Sequence, residues 1–138
     1  YFKNLMVIFK LGKNFLYKIS SNIKGLDSFS VVDDEYGSPT NAYDLAEVIM
    51  KILPKLKNDK TEIYHFSNLG VCSRYDFAVK VNNFFKSGSI INPIKSEKFK
   101  NIRPKFSPLD SKKIIHKFDL NIDEWSASLD CLLKNNSF

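Results

Sequence analysis

Ser30-Val-Val-Asp-Asp-Glu-Tyr-Gly-Ser-Pro-Thr40 is the stretch on which the fold turns. It opens on a β-branched run, Phe29 to Val32, of strand character. Asp33 to Thr40 then forms a polar loop punctuated by Gly37 and Pro39. Thr40 carries a side-chain oxygen suited to capping a helix. Beyond it Ala42, Leu45, Ala46, Ile49, Ile52 and Leu53 recur on one helical face until Pro54. Strand, loop and helix in this order are the building unit of an α/β protein.

The same alternation extends in both directions. Upstream, Asn4-Leu-Met-Val-Ile-Phe9 is an unbroken apolar run of strand length, the pattern of a strand buried on both faces of a parallel sheet. Gly12 interrupts it. Asn14 can cap a helix carrying Phe15, Ile19 and Ile23, with Gly25 suited to its C-terminal end. Downstream, Glu62-Ile-Tyr-His-Phe-Ser67 reads as a second buried strand, with His65 as a core histidine. Ser73 and Asp76 form a capping box, Asp replacing the usual Glu, before a helix with Phe77, Val81, Phe84 and Phe85 on one stripe. Ile90 to Ile94 reads as a short strand. Two helices follow, one with Ile114, Ile115 and Phe118, the other with Trp125, Leu129, Leu132 and Leu133. Only 4–9 and 63–67 look fully buried, too few strands for a stable doubly wound sheet. They read as the last strands of a larger one.

The 138 residues suffice for one domain with a real core. They are 43% hydrophobic and 26% charged, as in ordinary globular proteins. The first residue is Tyr, which leaves open a longer reading frame. A net charge of +6 favours anionic partners in general. No recognised nucleic-acid motif accompanies it, so no nucleic-acid partner is expected. No apolar run approaches the roughly 20 residues that span a bilayer, so no membrane partner is expected and the cytoplasm is the expected location. Cys72 and Cys131, far apart and without a CxxC pair, read as small core residues of a reducing compartment. The acidic triplet Asp33, Asp34 and Glu35 reads as solvated or capping rather than metal-binding. His116 reads as exposed. No Ser-His-Asp arrangement is legible around Ser67 or Ser73.

Three segments resemble the carboxy-terminal part of dTDP-4-dehydrorhamnose reductases. Ser30 to Thr40 with Asp44-Leu-Ala46 is similar to the family's VxDDQxGxPT…DLA, with Glu35 where Gln is usual. Ile63-Tyr-His-Phe-Ser-Asn68, Cys72-Ser73 and Tyr75-Asp-Phe-Ala78 resemble IYHxSNxGxCSWYEFA. Arg103-Pro104, Ser107 and Leu109-Asp110 resemble RPxxSxLD. Gly12-Lys-Asn-Phe15 and Asp123-Glu-Trp125 add minor support, so the likeness covers nearly the whole of 1–138. It implies the carboxy-terminal, substrate-binding portion of an NAD(P)-binding, Rossmann-type extended short-chain dehydrogenase fold, with few strands and about five helices. The amino-terminal Rossmann cofactor-binding part is expected to be absent from 1–138. For the parent protein it implies NADPH-dependent reduction of dTDP-4-dehydro-L-rhamnose to dTDP-L-rhamnose. It also implies a dTDP-sugar nucleotide as ligand, touched by Gly37, Ser38, Pro39, Thr40, Arg103 and Pro104. Arg103 suits the diphosphate because its planar guanidinium matches phosphate oxygens.

Reducing a ketone needs a bound nicotinamide, an acid for the developing alkoxide and a pocket that orients the sugar. The dinucleotide cradle is normally a Gly-rich strand-to-helix turn. Glycines 12, 25, 37, 70 and 88 are too widely spaced to build one. In the family the acid is the Tyr of a YxxxK pair, whose Lys lowers the phenol pKa. Four residues beyond the six tyrosines stand Leu5, Ser21, Thr40, Glu47, Asn68 and Val79, none of them Lys. The family's Trp after the 4–9 strand is also missing from Ile8-Phe9-Lys10-Leu11. The chain is therefore expected to bind no NADPH and to be inactive alone. A separate amino-terminal half, or a second copy, is its expected partner. A non-catalytic regulatory subunit of the same fold and the remnant of a disrupted gene are the competing readings.

Overall fold

The computed structural model describes residues 6–9, 12–57, 60–98 and 103–135. Its elements alternate as β1 (Met6–Ile8), α1 (Phe15–Gly25), β2 (Ser28–Val32), β3 (Tyr36–Gly37), β4 (Pro39–Asn41), α2 (Ala42–Ile52), β5 (Cys72–Ser73), α3 (Arg74–Phe85), β6 (Ile90–Ile94), α4 (Lys112–Phe118) and α5 (Trp125–Lys134). A 3₁₀ turn at Leu53–Lys55 follows α2, where Pro54 cannot continue the α-helix. None of the described helices is long and apolar enough to cross a membrane.

The architecture is α/β, with the strands paired in twos. β1 runs parallel to β4, Ile8 opposite Asn41. β2 runs parallel to β6, Val31 opposite Pro93. β6 has one named partner, so the proline, which lacks an N–H, sits where only one side of the strand is paired. β3 and β5 form a short antiparallel bridge between Gly37 and Cys72.

Helix α3 is the centre of the main core. Its capping box is complete: Ser73 Oγ accepts the Asp76 N–H at 3.0 Å while Asp76 accepts the Ser73 N–H at 2.9 Å. Such a cap contributes about 1 kcal/mol. The helix then buries Phe77, Ala78 and Val81 completely. Ile8, Leu16, Ile19, Val31, Leu129 and Leu133 close around them from β1, α1, β2 and α5. Trp125 is half-buried and packs on this cluster, its ring 6.0 Å from that of Phe77. A second, smaller core joins Val48 of α2 and Phe66 to Ile114, Phe118 and Ile122.

Several expectations are corrected. Residues 63–67 form no strand: Ile63 is 73% exposed, and His65 is exposed rather than core. Two of its backbone groups meet side chains instead of a strand, Ser111 Oγ accepting the Ser67 N–H at 3.0 Å and Lys113 Nζ donating to the Ile63 carbonyl at 3.0 Å. The strand at β1 therefore pairs with β4, not with 63–67. β1 itself is buried on one face only, at Ile8, with Val7 facing outward; Asn4 and Leu5 lie outside the described residues.

Thr40 does not cap α2. Asn41 does, its Oδ1 accepting the Tyr43 N–H at 3.0 Å. Thr40 lies fully buried in β4 instead. The buried side of α2 is set by Val48, with Leu45 and Ile52 half-buried, whereas Ala46, Ile49 and Leu53 are exposed. Gly25 is the last residue of α1 and Leu26 its cap. Cys72 is buried as expected, but Cys131 is exposed.

Candidate functional site: a cation-lined cleft beside α1

A cleft of about 690 Å³ opens between α1, the ends of β2 and β6, and the residues that begin α3. Asn14 fixes one wall. Its Oδ1 caps α1 by accepting the Tyr17 N–H at 3.1 Å, and its Nδ2 donates to the Phe9 carbonyl at 2.6 Å. That pins the start of α1 to the end of β1 and presents Phe15, Tyr17 and Lys18 along the cleft. Val31, Val32 and Ile94 supply an apolar wall.

The mouth is electropositive. Lys13, Lys18, Arg74 and Arg103 line it, against a single carboxylate, Glu35. Arg74 donates from Nε to Glu35 Oε2 at 3.1 Å, and its guanidinium lies 5.2 Å from the centre of the Phe15 ring. Both contacts hold the planar group in one orientation, the first by charge-assisted hydrogen bonding and the second by cation–π attraction.

Arg103 and Arg74 meet again around a smaller cavity of about 30 Å³, together with Gly37, Pro104 and Ser107. The 103–107 segment is docked there through its backbone. Tyr36 donates its N–H to the Lys105 carbonyl at 2.8 Å, and Ser107 returns an N–H to the Tyr36 carbonyl at 2.9 Å. Lys105 Nζ also pairs with Asp34. That contact, aided by the Ser96 N–H, pulls the Asp34 carboxyl down to about 2. Asp33 pairs separately with Lys95 at 3.0 Å, so the acidic triplet is divided among three different cations.

The six residues expected to touch ligand thus divide. Gly37, Arg103 and Pro104 come together. Ser38, Pro39 and Thr40 lie in the packed interior. Ser38 Oγ donates to the Gly70 carbonyl at 2.8 Å, and the Thr40 hydroxyl is buried without a hydrogen-bond partner. Sequence reading missed Arg74, Glu35 and Phe15 as cleft residues. A signal existed: Arg74 stands where the motif quoted above has Trp, and Glu35 where it has Gln.

A sequence model of the RmlD substrate binding domain matches residues 5–138. The chain belongs to that family. It is 30% identical over 129 residues to the dTDP-4-dehydrorhamnose reductase of Aggregatibacter actinomycetemcomitans, covering 86% of this chain and 44% of that protein. It is also 30% identical over 128 residues to the spore coat polysaccharide biosynthesis protein SpsK of Bacillus subtilis, covering 91% of this chain and 44% of the relative. The crystal structure of dTDP-4-dehydrorhamnose reductase from Bacillus anthracis, solved with NADP, superposes with a TM-score of 0.86 at 28% identity. It covers 96% of this chain and 46% of its own. The chain therefore spans under half the length of the relatives it matches. The resemblance in the three motifs, and the α/β fold with five helices, are borne out.

Whether the residues present fit the NADP of that relative can be tested directly. Among the described residues, the strand-to-helix junctions that follow β1 and β4 offer one glycine, Gly12, and nothing lies within 4 Å of a Cβ built there. That is no close-approach cradle for a pyrophosphate. Among the described residues these junctions do not fit the group's pyrophosphate, and no chemical step is derived through it.

Proposed function

We propose that this RmlD-family chain forms the sugar-nucleotide-binding part of a dTDP-4-dehydrorhamnose reductase and reduces no ketone by itself. The observation that carries the reading is the cleft beside α1, where Arg103 and three further cations rim an apolar, aromatic-bearing groove. A nucleoside diphosphate sugar has the matching parts: a planar base for aromatic side chains, two negative phosphates for guanidinium groups, and a sugar directed onward. Gly37, Arg103 and Pro104 contact this ligand. Ser38, Pro39 and Thr40 act as the packed stem that holds Gly37 in place.

In this reading the nicotinamide and the proton donor come from polypeptide outside 1–138. A Rossmann-type amino-terminal part is what would supply both. NADPH is the reductant of the completed enzyme, dTDP-4-dehydro-L-rhamnose its substrate and the cytoplasm its compartment.

Two measurements on the purified chain test this. Titration calorimetry with dTDP-L-rhamnose is expected to show saturable binding that Arg103→Gln weakens about tenfold, the value of one charge-assisted hydrogen-bonding group. An NADPH-consumption assay with dTDP-4-dehydro-L-rhamnose is expected to stay at background. Absence of binding, or turnover well above background, would overturn the proposal.

A further inference from the structure

Arg74 and Glu35 are the two cleft residues at which this chain departs from the family motifs quoted above, Arg for Trp and Glu for Gln. The departures are not independent in space: they form one ion pair, Nε to Oε2 at 3.1 Å. A lone arginine in place of tryptophan would leave a flexible cation. A lone glutamate in place of glutamine would bring a negative charge to an anion-binding mouth. Together the carboxylate engages Nε only, and the two terminal amino groups of Arg74 have no hydrogen-bond partner among those described. The side chain of Arg74 is 27% exposed and that of Glu35 11%. Both side chains line the cleft, Arg74 as the more exposed and Glu35 as the less exposed, supporting member of the pair. Phe15 beneath the guanidinium completes the seat.

Arg74 and Arg103 line both the large cleft and the small cavity joined to it. They are the only arginines in the chain, and the fold brings residues 29 positions apart to one place. Glu35 lines both cavities beside them, and two planar donors facing the roomier cleft suit bidentate contact with phosphate oxygens better than contact with a neutral sugar. We propose that Arg74, seated by Glu35 and Phe15, is a second guanidinium that acts with Arg103 as a clamp on the diphosphate of a nucleoside diphosphate, fixing specificity for that group over the bare nucleoside. This rests on the sugar-nucleotide reading above and deepens it.

The test is NMR titration of the 138-residue chain with dTDP and, separately, with thymidine, which lacks the phosphates. Wild type, Arg103→Gln, Arg74→Trp and the double variant Glu35→Gln/Arg74→Trp are compared. The double variant removes both members of the ion pair, so no half-buried charge is stranded, and its amide spectrum checks that it folds. Expected is a loss of dTDP affinity of about tenfold in Arg74→Trp and in the double variant, with thymidine affinity unchanged. If wild type binds dTDP, Arg103→Gln weakens it and both Arg74 variants match wild type, the clamp is wrong while the cleft assignment stands. Equal losses for dTDP and thymidine would make Arg74 a structural residue and also refute the clamp. Failure of wild type to prefer dTDP over thymidine would overturn both.

Discussion

The side-chain carbonyl of Asn68 accepts the backbone N–H of Asn41 at 2.9 Å, tying the segment after residue 67 to the junction between β4 and α2. Asn68 is 1% exposed. Its Nδ2 donates to Asp44 at 2.5 Å and to the Asp123 carbonyl at 3.3 Å. Ser128 on α5 donates to the same Asp44 carboxylate at 2.6 Å and accepts from Asn41 Nδ2 at 2.9 Å. Four side chains from three parts of the chain therefore satisfy one another in the interior, as buried polar groups must.

Replacing Asn68 with Ala removes the shared partner of a buried N–H and a half-buried carboxylate at once. Stability is expected to fall by about 2–4 kcal/mol, because unsatisfied buried groups incur their full desolvation cost. Urea denaturation followed by circular dichroism measures it. A loss under about 0.5 kcal/mol, typical of a surface change, would show that the cluster is not a structural hub.

Phe77 lies at the meeting point of α1, α3 and α5 and is wholly buried. Phe77→Ala leaves a cavity where Phe15 and Trp125 now pack. The expected cost is about 3–5 kcal/mol, read from the same denaturation experiment.

How much of this was legible depended on whether the determining contacts were local. Helices α3 and α5 could be read because Phe77 and Val81, or Leu129, Leu132 and Leu133, repeat at helical spacing, and because the Ser73–Asp76 box is a local signal. Strand β4 could not. Pro39, Thr40 and Asn41 have loop composition, and their strand character comes from pairing with Met6–Ile8, more than 30 positions away. Residues 63–67 misled in the opposite sense: an apolar, aromatic run suggested a strand, yet its two ends are held by Ser111 and Lys113 side chains rather than by a neighbouring strand. At the site, Arg103 was legible from its RP element. Arg74 showed only as a departure from the motif, and its pairing with Glu35, 39 positions away, was not legible.

Asp34 makes one acid-sensitive contribution at the 103–107 segment. Its carboxyl is held near 2 instead of 3.8 by the Lys105 ammonium and the Ser96 N–H. A depressed folded-state value means that its contribution is complete above the unfolded value and is lost as pH falls from about 3.8 towards 2. Carbon-detected NMR should find Asp34 still ionised at a pH of about 3, below the ordinary aspartate range. In Lys105→Ala the midpoint should rise towards the ordinary value. An unchanged midpoint in that variant would refute the pairing.

The two thiols should respond differently to alkylation. Burial pushes the Cys72 thiol up to about 12, and the thiolate is the reactive form. Cys131 is exposed. Iodoacetamide at neutral pH is expected to add one label to the native chain, at Cys131, and a second only after denaturation. Native labelling of Cys72, seen by peptide mass spectrometry, would contradict the burial.

The most direct measurement is a backbone NMR perturbation map of the isolated chain during titration with dTDP-L-rhamnose, without cofactor. Saturable shifts centred on Phe15, Tyr17, Val31, Arg74 and Arg103 are expected. No shifts at ligand saturation of the family's full-length enzyme, or shifts confined to α4 and α5, would contradict the assignment of the cleft.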